Sequence, residues 1–129
     1  MKSPRVSCHR VSAAVVYLAL GLLLPGCSKK GEVVLDTASF STAPPELREK
    51  WRIAAEHASN KNYLGAATNL MVIFSKTQQL TAGQNDALNQ AWLTLGNQAF
   101  NAANRGDKAA TEAVLRMRQS GIGEQRGRR

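Results

Sequence analysis

The chain reads as all-α, with four antiparallel helices arranged as two stacked helical hairpins. Three observations predict this. Apolar residues recur at helical spacing in four separate stretches between 44 and 119. Residues that start or stop helices punctuate those stretches: Pro44-Pro45, Asn60-Lys61-Asn62, Thr81 and Gly106-Asp107. Aromatics make up only 5% of the chain, and alanine is abundant. That composition suits close-packed helices better than a β-sandwich.

The first helix is expected over 45–59. Its prolines suit a first turn, and Glu46 favours the positive end of the helix dipole. Leu47, Trp51, Ala54, Ala55 and Ala58 make one stripe, and Ile53 falls off it as a surface apolar residue. Glu46 and Lys50 are spaced to pair on the exposed face. Asn60-Lys61-Asn62 reads as a tight turn in which asparagine takes the left-handed conformation.

A second helix follows over 62–76, with Tyr63, Ala66, Ala67, Leu70, Met71 and Phe74 on its main stripe. Residues 70–74 are apolar nearly all round, which marks this helix as the most buried element. A short strand is the rival reading for 70–74, and the helix-spaced alanines before it favour helix. Thr81 and Gln84 fit a capping box that opens the third helix, 82–103. Its stripe is Leu88, Ala91, Trp92, Leu95, Ala99 and Ala102. Gly106 ends it, and Asp107 caps the fourth helix over 108–119, with Ala110, Ala113, Val114 and Met117 inward. Nothing is periodic from Ser120 to Arg129, so a disordered basic tail is expected there.

Ahead of the helices lies a leader. Residues 1–10 carry Lys2, Arg5 and Arg10, and residues 11–24 are uncharged and mostly apolar. Fourteen residues of helix span only about 21 Å, short of a ~30 Å hydrocarbon core. A cleaved signal peptide fits better than a permanent span. If residues 1–26 are removed, Cys8 goes with them, and Cys27 is left as the lone cysteine, an attachment point rather than half of a disulfide. The formal charge of +8 is concentrated at the ends: residues 31–115 carry seven Lys/Arg against eight Asp/Glu.

Leu24-Pro25-Gly26-Cys27 resembles the lipobox of bacterial lipoproteins. Leu24, Gly26 and Cys27 match that pattern, and Pro25 stands where the family usually has a small residue. The resemblance implies diacylglyceryl attachment to the Cys27 thiol, cleavage before it, and membrane anchoring by the acyl chains. Ser28 after the cysteine implies the outer membrane, facing the periplasm. An ordinary signal peptide, giving a secreted helical protein, and an uncleaved leader remain as alternatives. The expected organisation is therefore a signal peptide at 1–26, lipidated Cys27 and a flexible tether to 43, a four-helix body at 44–119, and the tail at 120–129. For the tether, docking of Val33–Leu35 and Phe40 along the body as a strap is the second reading.

The body also looks like one hairpin written twice, Trp51 corresponding to Trp92 and Ala66-Ala67-Thr68 to Ala109-Ala110-Thr111. Ala91-Trp92-Leu93-Thr94-Leu95-Gly96-Asn97 with Gly106-Asp107 resembles a degenerate tetratricopeptide repeat, although the turn after the third helix is about three residues too long. The resemblance implies antiparallel hairpins and no ligand residues. A plain four-helix bundle is the alternative. The small residues at 55 and 96 are expected where the partner helices approach.

No catalytic, cofactor or metal constellation stands out. His57 is the one histidine after the leader, so a His/Cys zinc site has no ligand set. The reading is of an envelope protein with a non-catalytic interaction module, held by membrane lipid and meeting a protein partner. The alternative is a small structural lipoprotein whose anchor and basic tail touch anionic envelope components. Nucleic acid is not an expected partner, because export removes the chain from it.

Overall fold

A computed structural model describes residues 35–123. The described part is all-α: α1 is Pro45–Ser59, α2 Tyr63–Phe74, α3 Ala82–Asn104 and α4 Lys108–Gln119. One-turn 3-10 segments, Thr37–Phe40 and Thr77–Gln79, precede α1 and α3. No strand occurs among the described residues, so 70–74 is helical.

Both hairpins turn by the same local chemistry. In the first, Asn62 N–H donates to the His57 carbonyl and Lys61 N–H to that of Ala58. In the second, Asp107 N–H donates to Ala102 and Gly106 N–H to Ala103. These are Schellman ends, which require positive φ at the residue after the cap. Gly106 supplies it at 91° and Lys61 at 58°. The left-handed residue of the first turn is therefore Lys61, not an asparagine. Asn62 and Asp107 are needed instead as N-caps, accepting from Gly65 N–H and Ala110 N–H. Thr81 and Gln84 form the full capping box of α3.

The stripes of α1 and α3 correspond throughout. Leu47, Trp51, Ala54 and Ala58 are buried, and so are Leu88, Trp92, Leu95 and Ala99, each 41 residues on. The turns, however, lie 45 residues apart, Lys61 to Gly106. The difference is one additional helical turn at the end of α3, so it is the helix that is longer, not the turn after it. α2 lies at the centre, packed against α1, α3 and α4, with Tyr63, Ala66, Ala67, Leu70 and Ile73 buried.

The second helices lie along different flanks of their partners. α2 runs beside the Glu46–His57 flank of α1. Lys76 Nζ reaches both Glu46 carboxylate oxygens at 2.6 Å, so Glu46 pairs across the hairpin rather than with Lys50. A Cβ on Gly65 would lie 2.9 Å from His57 Cγ. Gly65 is thus one point where α2 comes close to α1. α4 runs beside the Trp92–Gly96 flank of α3, where a Cβ on Gly96 would meet Met117 Cε at 3.4 Å. Ile53 is half-buried rather than a surface residue.

Packing extends beyond the periodic region. Leu35, Phe40 and Ala43 are buried, and Phe40 stacks on Trp51 with ring centroids 4.0 Å apart. Trp51 Nε1 donates to the Asp36 carbonyl at 3.0 Å. Gln84, buried at the start of α3, donates to Thr42 Oγ1 at 3.1 Å. At the other end, Trp92 Nε1 donates to the Ile122 carbonyl at 3.3 Å. Each tryptophan thus fastens an irregular segment, and the packed body runs from Leu35 to Ile122, wider than 44–119. The leader, Leu24, Gly26, Cys27, the tether before Leu35 and residues 124–129 lie outside the described residues. No helix among the described residues is long and apolar enough to cross a membrane.

Candidate functional site: an apolar groove on the second hairpin

The site begins with the composition of α3. Across its 23 residues only Asp86 is charged. From Gln90 onward its exposed positions are Gln, Thr and Asn, interrupted by Leu93 at 60% exposure and Phe100 at 46%. Seven residues apart, these two share one face, next to the flank that carries Gly96.

α4 forms the opposite wall with Val114, Met117 and Arg118. The chain then bends back at Ser120–Gly123, where Gly121 and Gly123 take φ of 65° and 111°. Glycine permits that reversal without steric cost. The bend sets Ile122 against Trp92. Between these elements lie two adjoining recesses. One, of 290 Å³, is bounded by α3 and α4. The other, of 550 Å³, reaches the end of α2 at Met71 and Phe74. Both include Trp92, Leu93, Ile122 and Gly123. Phe74 meets Trp92 edge-on at 5.4 Å, which fixes the indole as part of the floor.

The groove is lined mostly by apolar side chains. Arg118 is its one charged lining residue. The hydroxyls of Ser75 and Ser120 donate to the nearby Val72 and Met117 carbonyls at 2.7 and 2.6 Å. Neither is paired with a base that would activate it.

His57, weighed above as a possible ligand, lies in the last helical turn of α1, against the first hairpin turn. Asn62 Oδ1 is engaged by Gly65 N–H, which turns Asn62 Nδ2 toward His57 Nδ1 at 3.1 Å. The ring therefore accepts from Asn62 and belongs to the turn. Among the described residues no three His, Cys, Asp or Glu side chains are grouped to hold a metal ion.

The perturbed charges sit on the solvated face of α1. The Lys76 hydrogen bond, then its charge, lowers the Glu46 carboxyl from its ordinary value. Glu49 is lowered by its hydrogen bond to Arg52, and Arg52 is raised by the same pairing. These are surface ion pairs, worth little individually, and they do not line the groove.

The sequence-predicted site residues Leu24, Gly26 and Cys27 lie outside the described part, and the groove was not foreseen. Its signal was nonetheless present. Leu93 and Phe100 sit off the main stripe at a seven-residue spacing, on a helix nearly without charge. No protein family, curated protein or solved structure matches the chain.

Proposed function

We propose that this is a lipid-anchored protein of the bacterial cell envelope whose helical body is a non-catalytic protein-interaction module. Anchoring is supported by the basic start, the fourteen-residue apolar run and Leu24-Pro25-Gly26-Cys27. Acylation at Cys27 supplies two or three chains, enough to hold a protein stably where a single chain does not. Ser28 favours the outer membrane, facing the periplasm.

The observation that carries the interaction reading is the groove. Leu93 and Phe100 are exposed at an apolar recess. Charge depletion with aromatic residues distinguishes the core of a protein interface from ordinary surface.

Site-specific photo-crosslinking in cells tests it. A photoreactive residue at Leu93 should give discrete protein adducts, and one at Glu112, exposed on α4, should not. Absence of adducts from position 93 would favour a small structural lipoprotein whose anchor is its function.

A further inference from the structure

We infer that the docked strap, residues 35–43, is an orienting device: it limits how far the body stands from the membrane and which side it turns toward it. This rests on the anchoring reading above and adds a geometry to it.

The strap is fastened along its whole length. Leu35 is buried at its start and Ala43 at its end. Between them the Asp36 carbonyl accepts from Trp51 Nε1, and the Phe40 ring lies on the Trp51 indole. The Ser41 carbonyl accepts from Arg48 Nη1 at 3.2 Å, and Thr42 Oγ1 accepts from Gln84 on α3. The chain thus joins the body at Leu35, beside the middle of α1, and not at Pro44.

Covalent reach turns that junction into a restraint. Acylation holds Cys27 at the level of the lipid head groups. Leu35 lies eight residues further on, at most about 27 Å away at ~3.4 Å per residue. This bound holds for any conformation of the residues between. A body of roughly 90 residues has a radius of gyration of about 12 Å, which for a sphere means about 31 Å across. To turn its far side to the bilayer, the body would have to hold Leu35 a full width away, and the chain is too short. With the strap lifted, the junction moves to Pro44, 17 residues from Cys27. The reach then grows to about 58 Å, and every orientation is open.

Charge does not favour the same side. On α1, against which the strap lies, Glu46, Glu49 and Glu56 balance Arg48, Lys50 and Arg52. α4 carries Lys108, Arg116 and Arg118 against Glu112, so an anionic bilayer attracts α4 instead. The strap packs against α1 and α3, and α4 against α2 and α3. Reach and charge therefore select different faces, which makes them separable.

The test uses the acylated chain in phosphatidylcholine vesicles that contain phosphatidylglycerol and a lipid with a spin-labelled head group as quencher. Ala38→Cys carries a fluorophore on the strap and Glu112→Cys carries one on α4, both at exposed positions. Acylated Cys27 has no free thiol to compete. The label at 38 should lose more emission than the label at 112. A Gly-Ser insert of about nine residues before Leu35 adds back the reach that docking removes. It leaves the strap intact and should narrow the difference. Phe40→Ala, which frees the strap, should narrow it as well, with circular dichroism checking that the helices persist; the insert decides the matter if they do not.

Equal quenching at the two positions, or stronger quenching at 112, would overturn the inference. So would a difference that the insert leaves unchanged. Intact mass of the same sample separates the two readings. A chain without a diacylglyceryl group would remove the anchoring reading and this inference together. An acylated chain quenched equally at both positions would remove the inference alone.

Discussion

Replacing Phe40 with alanine tests whether the segment before α1 belongs to the fold. Phe40 is fully buried, and its ring lies on Trp51 at 4.0 Å and 13°. Truncating a buried phenylalanine costs about 3–5 kcal/mol, and a stacked aromatic pair adds about 0.5–1.5. The segment can relieve a cavity by lifting away, which limits the loss to its whole docking energy. Lifting also exposes Leu35 and frees the Asp36 carbonyl from Trp51. The expected loss is therefore about 3 kcal/mol. Domains of this size are stable by roughly 5–15 kcal/mol, and each kcal/mol moves the melting temperature by about 4–8 °C. Phe40→Ala should thus melt more than about 10 °C lower. Urea unfolding followed by tryptophan fluorescence measures it, with exposed Ser39→Ala on the same turn as control. A loss under about 1 kcal/mol, the range of ordinary surface changes, would show that the segment is a passenger and that the body begins at Pro44.

Three further outcomes follow from local geometry. Lys61→Gly should stabilise the chain by roughly 0.5–1 kcal/mol in thermal melts, since only a side chain opposes its φ of 58°, whereas Gly106→Ala should destabilise it. Gly65→Ala should cost up to about 2 kcal/mol, because crowding against His57 and Asn62 Nδ2, both at 2.9 Å, outweighs the gain in helix propensity; His57→Ala should restore part of the loss in the double variant, the contact with Asn62 keeping the rest. Glu46 is lowered by Lys76 from an ordinary value near 4.5, so its contribution to stability is present above that value and fades as pH falls through the lowered one. A Lys76→Met chain should accordingly be slightly less stable than the parent at neutral pH and converge with it in acid, and a gap that widens in acid would refute the pairing.

Much of the fold was legible because helices announce themselves twice, by period and by caps. The stripe from Leu47 to Ala58, the Thr81–Gln84 box and the Gly106-Asp107 turn each specify geometry locally. What stayed hidden depends on long-range contact. Phe40 is one aromatic in an irregular stretch, and nothing local says that it meets Trp51. Gln84 hydrogen-bonds Thr42, 42 residues away. Lys61 adopts a conformation its side chain disfavours because its neighbour Asn62 is needed as a cap. The groove was harder still, since it is defined by what does not cover Leu93 and Phe100. A one-dimensional pattern records burial poorly where two helices leave a gap.

Attachment at Cys27 is the claim on which the cellular role turns. Intact-mass analysis of the mature protein from membranes, with metabolic palmitate labelling, tests it directly. The expected result is a chain that begins at Cys27, carries a diacylglyceryl group and takes up label, with labelling lost in Cys27→Ser. A chain that begins at another residue, or a Cys27→Ser variant labelled as strongly as the parent, would contradict it.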